Sequence, residues 1–264
     1  MSELHVQDLK SNFVSMVWLT IIVIAMGLQP RQVSAQDDGP LYDFLSEADQ
    51  FFNTYVIGGE VAYYALRDDS QPVDEVVAML ADVDLSSVSA EEKKAFYINA
   101  YNVIAIYSVI NNDIAESVMN RDEFFEKDKY NVAGEMLTLN QIENKKLRAP
   151  YEDPRTHFVL VCAAKSCPRL MNFAFYPDRL EHLLEAATYD FLNNPAKTKV
   201  NTANETVKLS QIMKWFEGDF KWEASSLLKY TNTYRLKTIP EGYTVDFYEY
   251  DWSLNAMSPI VNAE

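Results

Sequence analysis

The segment "SAEEKKAFYINAYNVIAIYSVI", residues 89–110, decides the fold of this chain. It opens with Ser89 and Glu92 in the S-x-x-E spacing of a capping box, in which each side chain satisfies a backbone donor that the start of a helix leaves unpaired. Beyond Phe96 the segment is apolar on nearly every side, and a helix without a polar face is normally buried in protein. We therefore predict a long central helix that the rest of the fold covers.

Two asparagines interrupt this apolar helix. Asn99 and Asn102 lie three residues apart, so their amides occupy neighbouring parts of the helix surface. Asparagine is a poor helix former, and a buried amide costs free energy unless it is hydrogen-bonded. The two residues therefore either tie up backbone groups of an adjacent segment or orient a substrate or a catalytic side chain.

The pattern around the central helix favours more helix than strand. A turn at Gly134 and a second capping-box pattern at Thr138 and Gln141 introduce one further helix. Because helices outnumber strands and do not alternate strictly with them, we predict an α+β fold, a mainly helical single domain with a small buried β-sheet and a central apolar helix. Other helices are predicted at 41–55, 73–80, 176–194, 210–220 and 224–231, and strands at 157–162, in a hairpin at 198–210 that turns at 203–204, and at 243–252.

The stretch "THFVLVCAAKSCPRL", residues 156–170, holds both cysteines of the chain and His157. If 157–162 is a regular strand, His157 and Cys162 lie roughly 16 Å apart on opposite faces, and Cys162 is a core residue. Cys167 precedes Pro168, which suits the first turn of a helix, and a thiol at a helix start has a lowered pKa. Cys167 is thus the candidate nucleophile, and its base is either His157, if the chain folds back, or His182 on the following helix.

Other interpretations of this stretch remain open at the level of sequence. Cys162 and Cys167 close a short loop and form a disulfide if their Cα atoms come within about 7 Å in an oxidising compartment. A metal site is less favoured, because C-x4-C with His157 supplies only three ligands. Glu143 is expected in a helix salt bridge, and Asp219 is expected to cap the turn after Gly218. No glycine-rich phosphate loop or G-x-S-x-G elbow occurs, and no cofactor is expected.

Residues 1–35 predict export. A polar start, an apolar stretch over 14–28 and the ending Val33-Ser34-Ala35 are typical of a secretory signal peptide, with an uncleaved anchor as the alternative. A single globular domain is then expected over 36–264, in the periplasm or outside the cell. The net charge of −16 argues against nucleic acid and against an anionic membrane surface as partners, unless the anchor is retained. We expect a small-molecule, peptide or glycan ligand.

Five motifs together resemble the domain-of-unknown-function family 547, DUF547. They are "FYINAYNVIAIYSVI", "LNQIENKKLR", "DPRTHFVLVCAAKSCPRL", "LSQIMKWFEGDF" and "YEYDWSLN", in this order from about residue 90 to 255. The main departure is Arg169, where the family often has a second proline. The positions characteristic of the family stand here as Asn99, Asn102, Glu143, Arg148, His157, Ser166, Cys167, Pro168 and Asp219.

The resemblance implies that these polar residues belong to one site, in a family without an established reaction. It favours a thiol-dependent hydrolase or acyltransferase, with Cys167 as nucleophile and His157 as base, oriented by Asn99, Asn102 or Glu143. The alternative is a non-catalytic exported binding or scaffold domain, stapled by a Cys162–Cys167 disulfide.

Overall fold

The predicted central helix runs from Ala90 to Asn111 in a computed structural model that describes residues 39–120 and 123–258. Its capping box forms as expected: Ser89 Oγ accepts from the Glu92 N–H, and Glu92 Oε2 accepts from the Ser89 N–H. Nearly all its side chains from Lys94 to Val109 are buried. The central apolar helix is therefore confirmed, whereas the predicted signal segment 1–35 lies outside the described residues.

Helices make up most of the described chain, and the α+β, mainly helical class is confirmed. Short 3-10 helices occupy Val118–Asn120, Pro154–Phe158 and Pro177–Arg179, and a π-helix occupies Ile142–Arg148. Among the described residues, none of the helices is long and apolar enough to cross a membrane. The α-helices are α1 Pro40–Tyr55, α2 Tyr63–Asp68, α3 Gln71–Met79, α4 Ala90–Asn111, α5 Glu123–Glu126, α6 Leu139–Gln141, α7 Ala149–Tyr151, α8 Leu180–Asn193, α9 Gln211–Trp215, α10 Glu217–Phe220 and α11 Leu227–Tyr234.

The strands are short and form two hairpins and one three-stranded sheet. In that sheet the middle strand pairs antiparallel with the first and parallel with the last. Its first two strands are the hairpin predicted at 198–210, with the turn where it was expected. The strands are β1 Val56–Ile57, β2 Glu60–Val61, β3 Tyr130–Val132, β4 Glu135–Leu137, β5 Lys199–Asn201, β6 Thr206–Leu209 and β7 Thr244–Phe247.

The strand predicted at 157–162 is wrong. The chain forms the 3-10 helix Pro154–Phe158 and then runs on irregularly. Here the side chain of Asn102 replaces a neighbouring strand: its Nδ2 donates to the Val159 carbonyl, and its Oδ1 accepts from the Val161 N–H, both at 2.9 Å. The apolar run correctly indicated burial, but its backbone groups are satisfied by an amide rather than by a sheet.

The single helix predicted at 210–220 is also wrong. The chain breaks at Phe216 into α9 and α10, and Gly218 lies inside α10 instead of ending a helix. Asp219 is consequently buried and points to other side chains rather than capping the next turn.

A C-terminal segment, residues 250–257, crosses the turn between the two cysteines. Its backbone accepts from Lys165 at the Ser253 carbonyl and donates from Asn255 to the Ala163 carbonyl. Ala163 has a φ of 62°, in the left-handed region, so the turn is sharp. This crossing brings Tyr250 and the nearby Trp252 to the cysteines.

Candidate functional site

A cavity of about 400 Å³ opens beside the central helix. Its wall combines side chains from that helix, from the π-helix, from α9 and from the C-terminal segment. Of the residues predicted for the site, it contains His157 and Glu143. The lining residues are Tyr101, Val118, Met119, Phe125, Glu126, Asn140, Glu143, His157, Leu160, Cys162, Ile212, Trp215, Phe216, Tyr250 and Trp252.

The π-helix positions two charged side chains, Glu143 and Arg148. It follows α6, whose capping box at Thr138 and Gln141 forms as predicted. The Ala149 N–H donates five residues back, and such wide turns are frequent at functional sites. Glu143 at the start of the π-helix reaches the cavity, while Arg148 at its end donates twice to Asp219, from Nε at 2.6 Å and from Nη2 at 2.7 Å.

Asp219 fixes the orientation of His157. The distance between His157 Nε2 and Asp219 Oδ2 is 2.7 Å. Burial opposes ionisation of Asp219, but hydrogen bonds from His157 and Arg148 lower its pKa to about 2. An ionised carboxylate can only accept, so Nε2 carries the hydrogen and Nδ1 is left as an acceptor. The ring also stacks on Phe216, with centroids 4.1 Å apart.

Burial has opposite consequences for His157 and Glu143. It lowers the pKa of His157 despite the Asp219 carboxylate, so the imidazole is neutral near pH 7. Burial raises the pKa of Glu143 to about 7, against the attraction of Arg148 and together with the repulsion of Asp219. Glu143 Oε1 lies 3.8 Å from His157 Nδ1. A carboxyl group with a pKa near 7 can both take and release a proton at neutral pH.

The two cysteines are free thiols, so the predicted disulfide is not formed in the structure. Cys162 lines the cavity, whereas Cys167 is only 2% exposed and lines a second cavity of about 410 Å³, together with Arg169 and Lys197. Cys167 Sγ accepts from the Cys162 N–H and from the Tyr250 hydroxyl, each at 3.2 Å. The Tyr250 hydroxyl is also 3.5 Å from Cys162 Sγ.

These contacts separate the acidities of the two thiols. Burial alone would raise the pKa of Cys167, but hydrogen bonds from Cys162, from Tyr250 and from backbone amides outweigh it and hold that pKa below its ordinary value. The pKa of Cys162 is raised well above the ordinary value by its hydrogen bond to Cys167 and by burial. Cys167 is therefore the more acidic of the two thiols, and the cavity presents the less acidic one.

The comparison with protein families agrees with the first three of the five motifs. The model of a family described as "Protein of unknown function, DUF547" matches residues 85–192. This segment is similar to DUF547. It supplies Glu143, His157 and both cysteines, whereas Asp219 and Tyr250 come from the chain beyond it. No curated protein and no solved structure matches the chain.

The two asparagines of the DUF547 segment are bonded to backbone. Asn99 Nδ2 donates to the Ala95 and Phe175 carbonyls, and its Oδ1 accepts from the Phe175 N–H. Asn102 braces the chain between His157 and Cys162, as described above. Neither lines the cavity, so their contribution to the site is indirect, through the backbone that they hold.

Several cavity residues escaped prediction, above all Cys162, Tyr250 and the tryptophans Trp215 and Trp252. The aromatic motif "YEYDW" could have indicated a binding surface. Only the hydrogen bonds between the C-terminal segment and the cysteine turn show that this motif lies at the cavity. For Glu143 the sequence left open a helix salt bridge or an orienting role at the site, and its carboxyl group lies 3.8 Å from His157 Nδ1. Across the described residues, no group of three or more His, Cys, Asp or Glu side chains is arranged to hold a metal ion.

Proposed function

We propose that the cavity is the active site of a thiol-dependent hydrolase or acyltransferase in which Cys162 is the nucleophile. One observation carries the proposal: Cys162, His157 and Glu143 line the same cavity. A nucleophile has to reach its substrate, and Cys167 is 2% exposed. The proposal therefore moves the role predicted for Cys167 to its neighbour and makes Cys167 a positioning residue.

The proton of the Cys162 thiol needs an acceptor, because its raised pKa keeps it protonated at pH 7. Ionised Glu143 takes this proton as the sulfur attacks an acyl carbon. The carbon–sulfur bond forms, the bond to the leaving group breaks, and the leaving group receives the proton from Glu143. Water then attacks the thioester, the carbon–sulfur bond breaks, and a proton of the water returns through Glu143 to the sulfur.

In acyl transfer an amine or alcohol takes the place of the water. His157 supports both halves of the cycle, because Asp219 holds the tautomer that leaves its Nδ1 unprotonated, and this nitrogen lies 3.8 Å from Glu143 Oε1 on the side where the proton is exchanged. A positioned acid–base group of this kind contributes about 10²–10⁴-fold to a rate.

Trapping of the acyl-enzyme tests the proposal. Wild type, Cys162→Ser and Cys167→Ser are incubated with activated esters of varied acyl groups, and the adduct is located by intact and peptide mass spectrometry. We expect a thioester on Cys162 that is absent from Cys162→Ser and retained in Cys167→Ser. Glu143→Gln should slow acylation by at least about 100-fold. An adduct on Cys167, or turnover by Cys162→Ser, would contradict the assignment.

We also propose that the protein is exported, on the pattern of residues 1–35. N-terminal sequencing of protein recovered from the periplasm or medium should begin at Gln36. A mature chain that keeps its first residues would instead support an anchor. Intact mass with and without reductant would show whether Cys162 and Cys167 remain thiols in that compartment.

A further inference from the structure

One wall of the cavity is built from three aromatic rings. Trp215 and Trp252 stack with centroids 5.5 Å apart and an interplanar angle of 23°. Tyr250 lies against both, at 4.9 Å from Trp215 and 4.6 Å from Trp252. Trp215 keeps 47% of its surface exposed, although large aromatic side chains are usually buried. The cavity thus offers aromatic surface to whatever enters it.

Among the described residues, the charged side chains that line the same cavity are all acidic. Glu126 and Glu143 line it, and none of the described lining residues is lysine or arginine. Arg148 lies behind the wall, 4.6 Å from the centre of the Phe216 ring, but both its Nε and its Nη2 are bonded to Asp219. Its charge is therefore compensated by the Asp219 carboxylate, and the carboxyl groups of Glu126 and Glu143 set the potential in the cavity.

We infer that the cavity binds an organic ammonium group with an apolar body. Aromatic faces attract cations through the negative potential above the ring, and the attraction grows when water is excluded. The exposed Glu126 carboxylate and the ionised form of the buried Glu143 add charge complementarity, while an anionic ligand would meet repulsion from them. On the proposed function, the acyl donor or acceptor therefore carries a positive charge close to the reacting carbonyl.

Three probes of one shape test the ligand class. Phenyltrimethylammonium is the cation, tert-butylbenzene is its neutral carbon isostere, and benzenesulfonate is an anion of similar size. Binding to the full chain is followed by tryptophan fluorescence and calorimetry. We expect the ammonium probe to bind about tenfold more tightly than its isostere and the sulfonate to bind most weakly. Equal or tighter binding of the neutral probe would overturn the inference.

Substitutions test which side chains cause the preference for the ammonium probe. Trp215→Leu should abolish the advantage of the ammonium probe, whereas Trp222→Leu is the matched control, because Trp222 is equally exposed at 46% and lies outside the cavity. Glu126→Gln should reduce the advantage without changing the affinity for the neutral isostere. The inference is contradicted if the two tryptophan variants lose the preference for the ammonium probe equally, or if Glu126→Gln leaves that preference unchanged. If Trp215→Leu fails to fold, the order of affinities of the three probes for wild type and the preference measured in Glu126→Gln still test the inference.

Cys162→Ser separates this inference from the proposed chemistry. Ammonium preference that persists in Cys162→Ser supports the ligand class whether or not wild type forms an acyl-enzyme. An acyl-enzyme on Cys162 without any ammonium preference would leave the proposed function standing and remove the inference.

Discussion

Replacing Glu143 with glutamine is expected to stabilise the protein at alkaline pH and not at acid pH. Burial raises the pKa of this carboxyl from 4.5 to about 7. One pKa unit corresponds to about 1.4 kcal/mol, so ionised Glu143 lowers the free energy of unfolding by up to about 3 kcal/mol. Its side chain is 15% exposed, which makes this value an upper bound. Glutamine has a similar shape and does not ionise.

The sign follows from proton binding. Between pH 4.5 and 7 the folded protein binds more protons at Glu143 than the unfolded chain does, so wild type loses stability as pH rises through this range. The lowered pKa of His157 works in the opposite direction, because stability from that residue is lost as pH falls through 6.5. That contribution is common to wild type and variant, and it cancels in their difference.

The measurement is urea unfolding of wild type and Glu143→Gln at several values from pH 4 to pH 8.5. The difference in the free energy of unfolding should be constant below pH 4.5, rise in favour of the variant to pH 7 and level off above it. Glu241→Gln, at an exposed position, is the control for the loss of one carboxyl group outside the site. A flat or falling difference for Glu143→Gln would refute the raised pKa and, with it, the ability of Glu143 both to take and to release a proton near pH 7.

Three further outcomes are expected. Asn102→Ala should lower the free energy of unfolding by about 3 kcal/mol in urea, because it leaves two buried backbone groups unpaired; a loss under 1 kcal/mol would show that they find other partners. Glu205→Gly should raise it by about 0.5–1 kcal/mol, since Glu205 sits at a φ of 51° in the β5–β6 turn; a lower melting temperature would contradict this. Iodoacetamide should label Cys162 before Cys167, slowly at pH 7 and faster as pH rises, which peptide mapping checks; first labelling of Cys167 would reverse the assignment.

Local patterns predicted the elements that local interactions determine. The capping box at Ser89 and Glu92 fixed the start of the central helix, and the turn at 203–204 fixed the β5–β6 hairpin. The run 157–162 misled because an apolar, β-branched segment has the same composition whether a strand or a side-chain amide satisfies its backbone. Here the partner is Asn102. The sequence indicated that Asn102 needs hydrogen-bond partners, but it did not show whether these are backbone groups or a substrate or catalytic side chain.

That single error determined the assignment of the cysteines. In a strand, Cys162 would point away from His157 and only Cys167 would be free to react. With the segment irregular, Cys162 and His157 line the same cavity, and Cys167 accepts a hydrogen bond from the Tyr250 hydroxyl. Tyr250 lies 83 positions from Cys167 along the chain, and the spacing of residues within a short motif carries no information about such a contact.

Two carboxyl groups of this site have opposite acidities because the fold distributes donors unequally. Asp219 receives two hydrogen bonds from Arg148 and one from His157, which outweigh its burial. Glu143 lies on the far side of the same imidazole, at 3.8 Å from the unprotonated nitrogen, where burial prevails. The π-helix creates this inequality, because it directs Arg148 to Asp219 and Glu143 to the cavity. A permanent anion thus orients the ring, and an exchangeable proton faces the thiol-bearing cavity, which is the division of roles that acid–base chemistry at pH 7 requires.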